Sequence, residues 1–217
     1  MESRVIQCVI FDCDGTLVDS EHLSALALEL RLRACGVQET AADLLHAYKG
    51  WKLAEICRLL EAKHSVRLPE SFVPDYRALL EKLFAEQLQP IPGIVQALSE
   101  IRLPKCVASS GPPEKIDQSL TLTSLKHYFG EHIFSSYVVH SWKPDPGLFL
   151  HAAQAMGFAP EACAVVEDSE VGIRAALNAG MRALWFTGPD DPRLFPDVPR
   201  FADMRELPGL LGSGMAN

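Results

Sequence analysis

Two aspartates one residue apart, Asp12 and Asp14, flank Cys13 and run straight into Gly15 and Thr16. Side chains at i and i+2 of an extended segment point the same way, so the two carboxylates converge. Converging anions invite a hard cation such as magnesium. They also supply a nucleophile and an acid–base partner side by side. The preceding run, Val5 to Phe11, is apolar and reads as a buried strand. That puts the acids at a strand's C-terminal tip, where ligands bind in an open α/β sheet. Taken without its neighbours, the segment equally suits a strand end turned by Asp and Gly.

Three later strand ends carry complementary chemistry. Ser109, Ser110 and Gly111 close the run Lys105 to Ser109, and a hydroxyl with two backbone N–H groups suits phosphate oxygens. The alternative is an ordinary Ser/Gly loop ahead of Pro112 and Pro113. Lys143 stands in Trp142-Lys143-Pro144-Asp145-Pro146, just before a proline-restrained turn into a helix. It suits neutralisation of a phosphoryl group, or is a solvated charge with Asp145 as helix cap. Glu167 and Asp168 end the apolar run Ala162 to Glu167. Acids buried at the tip of such a strand are costly unless paired or bound to metal. The alternative there is N-capping of the next helix by Asp168 or Ser169.

The elements that must position these groups follow from periodicity. Leu17 to Leu88 reads as helical, with apolar i, i+3, i+4, i+7 faces at Leu23–Leu30, Leu53–Leu60 and Tyr76–Leu83. Gly36 and Gly50 serve as helix stops, and Thr40 with Asp43 resembles a capping box. Pro90-Ile91-Pro92-Gly93 breaks the pattern. Beyond it strands at 105–109, 133–139 (with loop), 162–167 and 182–186 alternate with helices at 94–101, 114–122, 146–156 and 169–179. Such alternation predicts a parallel sheet covered on both faces. The expected architecture is therefore α/β: a Rossmann-like core of residues 1–16 and 89–217, with a helical domain, 17–88, inserted after the Asp-rich turn. Residues 212–217 are expected to fray.

Composition narrows the function classes. The chain has 217 residues, 48% hydrophobic and 22% charged, enough for one core plus a smaller insert. Its net charge of −8 argues against nucleic acid or an anionic membrane as partner, since both need a basic face. No apolar run approaches the roughly 20 residues of a membrane span. No secretory leader pattern opens the chain. The six cysteines form no CxxC pair and no metal-finger spacing. Cys8, Cys106 and Cys163 fall in strand-like runs as small apolar residues. A reducing cytoplasm is the expected setting.

Taken together, the four strand ends resemble the haloacid dehalogenase-like superfamily of hydrolases over nearly the whole chain. Asp12-Cys13-Asp14-Gly15-Thr16 resembles its first motif, Ser109 the second, Lys143 the third and Glu167-Asp168 the fourth. The helical insert resembles the family's first cap class. Trp142 to Pro146 and Glu167-Asp168-Ser169 are similar to the sugar-phosphate phosphatase and β-phosphoglucomutase branch. Ser110-Gly111-Pro112 and Lys49-Gly50-Trp51-Lys52-Leu53 are similar to bacterial phosphogluconate phosphatase-like members.

The resemblance implies hydrolysis of a small phosphorylated metabolite through a phosphorylated Asp12. Asp14 would be the acid–base group. Magnesium would be held by the Asp12 carboxylate, the Asp14 backbone carbonyl and Asp168, with Glu167 in support. Lys143, Ser109 and Thr16 would hold phosphoryl oxygens, helped by Ser110 and Gly111. Lys49 and Lys52 would read the substrate from a lid, and capped members of this kind are often monomers. Three relatives differ. A dehalogenase needs no acid at Asp14, and a phosphonatase typically has a small residue there. A phosphoglucomutase carries a histidine ten residues after its acid–base aspartate; this chain has Ser24 there, with His22 two places off. A catalytically silent binding protein on the same fold is the remaining alternative, against which the full set of acids, serine and lysine speaks.

Overall fold

The computed structural model describes residues 5–188 and 194–212. In chain order its elements are β1 (Cys8–Phe11), α1 (Glu21–Ala34), α2 (Ala41–Tyr48), α3 (Leu53–His64), α4 (Phe72–Gln87), α5 (Ile94–Glu100), β2 (Lys105–Ser109), α6 (Pro113–Leu122), β3 (Ile133–Ser135), α7 (Ser136–Val139), α8 (Gly147–Met156), β4 (Cys163–Glu167), α9 (Glu170–Asn178), β5 (Arg182–Phe186), β6 (Arg200–Phe201) and α10 (Leu207–Gly212). The chain divides into two units, one of Met1–Val18 and Pro90–Asn217, the other of Asp19–Gln89.

The first unit holds a parallel sheet in the order β3-β2-β1-β4-β5-β6. β1 is central. The chain moves outward on one side through β2 and β3, then returns to pair β4 against the other flank of β1. The order reverses at that point, and a crevice at the C-terminal strand ends is the expected binding place. Apolar side chains of β1, β2, β4 and β5 pack with Leu148, Phe149 and Ala152 of α8 and Ile173 and Ala176 of α9 into one core. Cys8, Cys106 and Cys163 lie in it without disulfides. A hydrogen bond with Cys106, together with burial, pushes the Cys8 thiol up to about 12. The Cys8 thiol therefore stays protonated, and all three side chains pack as apolar groups.

The expected strands and the observed ones agree in place and differ at the edges. β1 begins at Cys8, because Val5 is exposed to solvent. The expected strand and loop at 133–139 is a strand of three residues followed by the single turn α7. The Ser135 hydroxyl accepts from the Tyr137 N–H and starts that turn. Pro146 holds the formal cap position of α8, one residue after the expected Asp145. The Asp145 carboxylate still accepts from the N–H of Gly147, the first residue of the helix, at 2.8 Å, and from the Ser141 hydroxyl at 2.6 Å. β6 and α10 were not anticipated: two residues are too short to show a period, and α10 carries Pro208 and Gly209. Gly212 closes α10, and the rest of the expected frayed tail, 213–217, lies outside the described residues.

The turn after Asp14 links the site to the crossing between units. Gly15 has φ 75°, a left-handed conformation that costs other L-residues energy. The Leu17 and Val18 N–H groups both return to the Cys13 carbonyl. Leu17 and Val18 are fully buried and belong with the sheet, not with the helical stretch. Val18 bridges Pro90, and the Ile91 N–H donates to the Leu17 carbonyl at 2.9 Å, so the outgoing and returning chains run side by side.

The second unit is the four helices α1 to α4. The Arg31 guanidinium of α1 pairs with Asp75 of α4 at 2.6 Å. Glu39 pairs with Lys63 and His64 of α3. The Thr40 hydroxyl accepts from the Asp43 N–H and donates to the Asp43 carboxylate, which starts α2. No helix among the described residues is long and apolar enough to cross a membrane.

Candidate active site

Expected groups at the sheet end come from three strand tips, and a further one, Lys143, comes from the loop between α7 and α8. Asp12 follows β1, and its N–H donates to the Val166 carbonyl of β4 at 3.0 Å. Ser109 ends β2, Glu167 ends β4 and Asp168 follows it. Lys143 comes from the loop before α8. Its ammonium donates to the Asp12 carboxylate and, at 2.7 Å, to Glu167 Oε1. It also lies 5.0 Å from the centre of the Phe149 ring. All three partners of this ion cluster are buried: the side chains of Lys143, Asp12 and Glu167 are 4%, 9% and 1% exposed. A cluster so dry feels strong Coulomb forces, because little water screens it.

The charges do not balance. Asp12, Glu167 and Asp168 each offer a carboxylate oxygen, and these atoms lie within 4.8 Å of one another. One ammonium faces them. Burial would by itself depress the Lys143 ammonium, but the Asp12 and Glu167 carboxylates hold it above its ordinary range. The two carboxylates thus favour the charged form of Lys143. Burial pushes the Asp12 carboxyl well above its usual range, and Glu167 and Asp168 push the same way against the pull of Lys143. Keeping Asp12 ionised therefore needs more positive charge than the site carries. Oxygen-only donors around a two-charge deficit fit a hard divalent cation.

The other expected residues are placed as follows. Thr16 is fully buried, and its hydroxyl donates to Asp168 Oδ1 at 3.3 Å. Its side chain thus steadies Asp168. The Ser109 hydroxyl accepts from the Gly111 N–H at 3.1 Å, which draws the loop Ser109-Ser110-Gly111 into a tight turn beside the strand end. The Asp14 carboxylate accepts from the Lys115 ammonium at 2.8 Å. Lys49 and Lys52 belong to the helical unit, where they end α2 and precede α3. Both are exposed. Trp51 between them is 47% exposed and meets Tyr48 edge-on at 6.2 Å. His22 pairs with Asp19 at 3.2 Å.

Sequence reasoning missed several supports. Lys115 lies 101 residues from Asp14 along the chain. One signal could have found it: a cation in the first turn of α6 sits at the wrong end of the helix dipole and needs a nearby anion. The Ser135 hydroxyl donates to the Gly111 carbonyl at 2.6 Å and fixes that loop from the neighbouring strand. The Trp185 indole donates to the Asp168 carbonyl at 3.3 Å. Neither carries a local sequence signal.

A family model described as haloacid dehalogenase-like hydrolase matches residues 6–180. The chain belongs to this family of hydrolases. It is 37% identical over 208 residues to 6-phosphogluconate phosphatase of Escherichia coli K12, a match covering 94% of each chain. It is 30% identical over 179 residues to fructose-1-phosphate phosphatase of the same organism, covering 81% of this chain and 94% of that one. Among solved structures it resembles a conserved haloacid dehalogenase-like protein of unknown function from Agrobacterium tumefaciens C58. That match has a TM-score of 0.86 and 31% identity, over 96% of this chain and 98% of the other.

The charge deficit makes a prediction that needs no substrate. Magnesium at about 100 times its dissociation constant should stabilise the fold by about 2.7 kcal/mol. In a chain of this size that raises Tm on the order of 5 °C or more. Asp168→Asn should abolish most of that rise. An equal rise in the variant, or none in the wild-type protein, would place the cation elsewhere.

Proposed function

We propose that the chain is a magnesium-dependent phosphatase for small phosphate monoesters of the sugar-phosphate or phosphogluconate kind, working through a phosphoryl group carried on Asp12. The observation that carries this reading is the buried set of Asp12, Lys143, Glu167 and Asp168 at the switch point of the sheet. The phosphatases among its relatives support it independently.

The reaction has two displacements. An Asp12 carboxylate oxygen attacks phosphorus in line, the new O–P bond forming as the bond to the sugar oxygen breaks. Asp14 gives its proton to the departing alkoxide. Water then attacks the acyl phosphate, Asp14 takes the water's proton, and inorganic phosphate leaves with Asp12 restored. Phosphoryl transfer depends chiefly on placement and charge neutralisation. Lys143, its charged form favoured by Asp12 and Glu167, supplies positive charge beside the nucleophile. Ser109, with the Ser110 N–H, suits the phosphoryl oxygens, Gly111 shapes the loop through its N–H bond to the Ser109 hydroxyl, and Thr16 acts by holding Asp168. Lys115 sets positive charge against the carboxylate form of Asp14, which suits the second displacement.

Magnesium would be held by the Asp12 and Asp168 carboxylates, the Asp14 backbone carbonyl and Glu167, and when bound it would screen the anionic nucleophile from the anionic ester. Lys49 and Lys52, on the helical unit, are assigned to the choice of substrate. Two exposed ammonium groups flanking an exposed indole suit an anionic polyhydroxy molecule.

Asp12→Asn should lower turnover by on the order of 10⁴-fold or more while leaving the circular dichroism spectrum unchanged. Near-normal activity in that variant removes Asp12 as nucleophile. With a hexose 1-phosphate as substrate, the wild-type enzyme should release free phosphate. Isomerised sugar phosphate without free phosphate would make it a mutase.

Lys52→Ala tests the helical unit. Loss of one charge-assisted hydrogen bond, about 1.5–3 kcal/mol, should raise KM for the best sugar phosphate or phosphogluconate roughly tenfold or more. KM for p-nitrophenyl phosphate should change less than about twofold. Equal effects on both would take Lys52 off the substrate.

A further inference from the structure

Gly172 occupies the third position of α9, a helix that runs from Glu170 to Asn178. Its backbone is not in the left-handed region, so conformation does not require glycine there. Glycine inside a helix costs roughly 0.5–1 kcal/mol relative to alanine. The reason for it is spatial. A Cβ built on Gly172 would overlap the Oε1 and Cδ atoms of Glu167 and lie 2.5 Å from Oε2.

The Glu167 carboxylate cannot simply step aside. Its Oε1 accepts from the Lys143 ammonium at 2.7 Å. Its Oε2 accepts from the Ser169 N–H at 2.6 Å and from the Ser169 hydroxyl at 2.9 Å. That hydroxyl in turn accepts from the Gly172 N–H at 3.2 Å, as the N-cap of α9. The carboxylate is thus folded back over the first turn of the helix, in the space a side chain would fill. It is 1% exposed there. Displacing a buried carboxylate from three donors leaves both it and Lys143 poorly paired, which is far costlier than the helix propensity lost to glycine.

We propose that Gly172 is a positioning residue: its missing side chain is the space that holds the Glu167 carboxylate, and through that carboxylate it fixes the Lys143 ammonium beside Asp12. The inference rests on the proposed role of Lys143 for its effect on turnover, but its structural half stands apart from that reading. Ser169 belongs to the same device, holding the second carboxylate oxygen while starting the helix.

The test is a rescue. Gly172→Ala should lower kcat by about 100-fold or more, with KM changed less than about threefold. Glu167→Asp shortens the side chain by one methylene and should itself reduce kcat in the wild-type background. Combined with Gly172→Ala, it should instead raise kcat at least tenfold above that of Gly172→Ala alone, because the shorter acid clears the new methyl group.

A readout independent of activity follows Lys143 by reductive methylation of the folded protein and peptide mass spectrometry. Lys143 should be protected in the wild-type protein, labelled in Gly172→Ala, and protected again in the double variant. If Gly172→Ala alone does not fold, recovery of the fold in the double variant carries the same meaning. The proposal is overturned if Gly172→Ala keeps kcat within twofold of wild type. It is also overturned if Glu167→Asp deepens the defect, or if Lys143 stays protected throughout. The labelling pattern with no phosphatase activity in any form would sink the proposed function and leave the positioning role intact.

Discussion

One buried ammonium set among three buried carboxylates organises this molecule's sheet end. Removing charges from water is expensive, and a cluster left two negative charges in excess is not a device for stability. It is tolerated because strands β1 and β4, parallel and adjacent, deliver Asp12, Glu167 and Asp168 to one edge of the sheet. Lys143 arrives from a third part of the chain. The imbalance has a chemical use. A site short of positive charge suits a divalent cation, and in the proposed reaction such a cation together with Lys143 would let an anionic nucleophile meet an anionic ester.

Much of the scaffold around the cluster serves to keep those charges in place. Thr16 and the Trp185 indole steady Asp168, Ser169 and Lys143 divide the two oxygens of Glu167, and Ser135 anchors the Gly111 carbonyl. Groups held this way need little reorganisation when charge moves, which is where electrostatic catalysis draws its strength. Local stability is given up for it: α9 accepts a glycine in its first turn so that a carboxylate can occupy the vacated space.

The sequence makes the scaffold legible wherever a pattern is local. β2 and β5 lie at the residues their apolar runs mark, and the parallel α/β architecture follows from strands alternating with helices. β6 escapes because two residues carry no period, and α7 because a hydroxyl cap on Ser135 overrides a strand-like composition. In the site, acids at strand tips stand out because burying them needs a reason. The partners that supply the reason do not stand out. Lys115 reads as one more solvated lysine until the fold brings it to Asp14, and Gly172 reads as a weak helix residue until the Glu167 carboxylate is seen beside it. The first is a product of topology, across 101 residues of chain; the second lies only five residues away and depends on how the carboxylate folds back over the start of the helix.

The most direct test of the charge-balance account is a crystal structure with magnesium and beryllium fluoride, a stable mimic of an acyl phosphate. The account predicts the beryllium fluoride bonded to the Asp12 carboxylate. It also predicts the cation between Asp12 and Asp168, with Lys143 turned to the fluorides while still held by Glu167. Magnesium bound away from Asp168, or beryllium fluoride on any carboxylate other than Asp12, would contradict it.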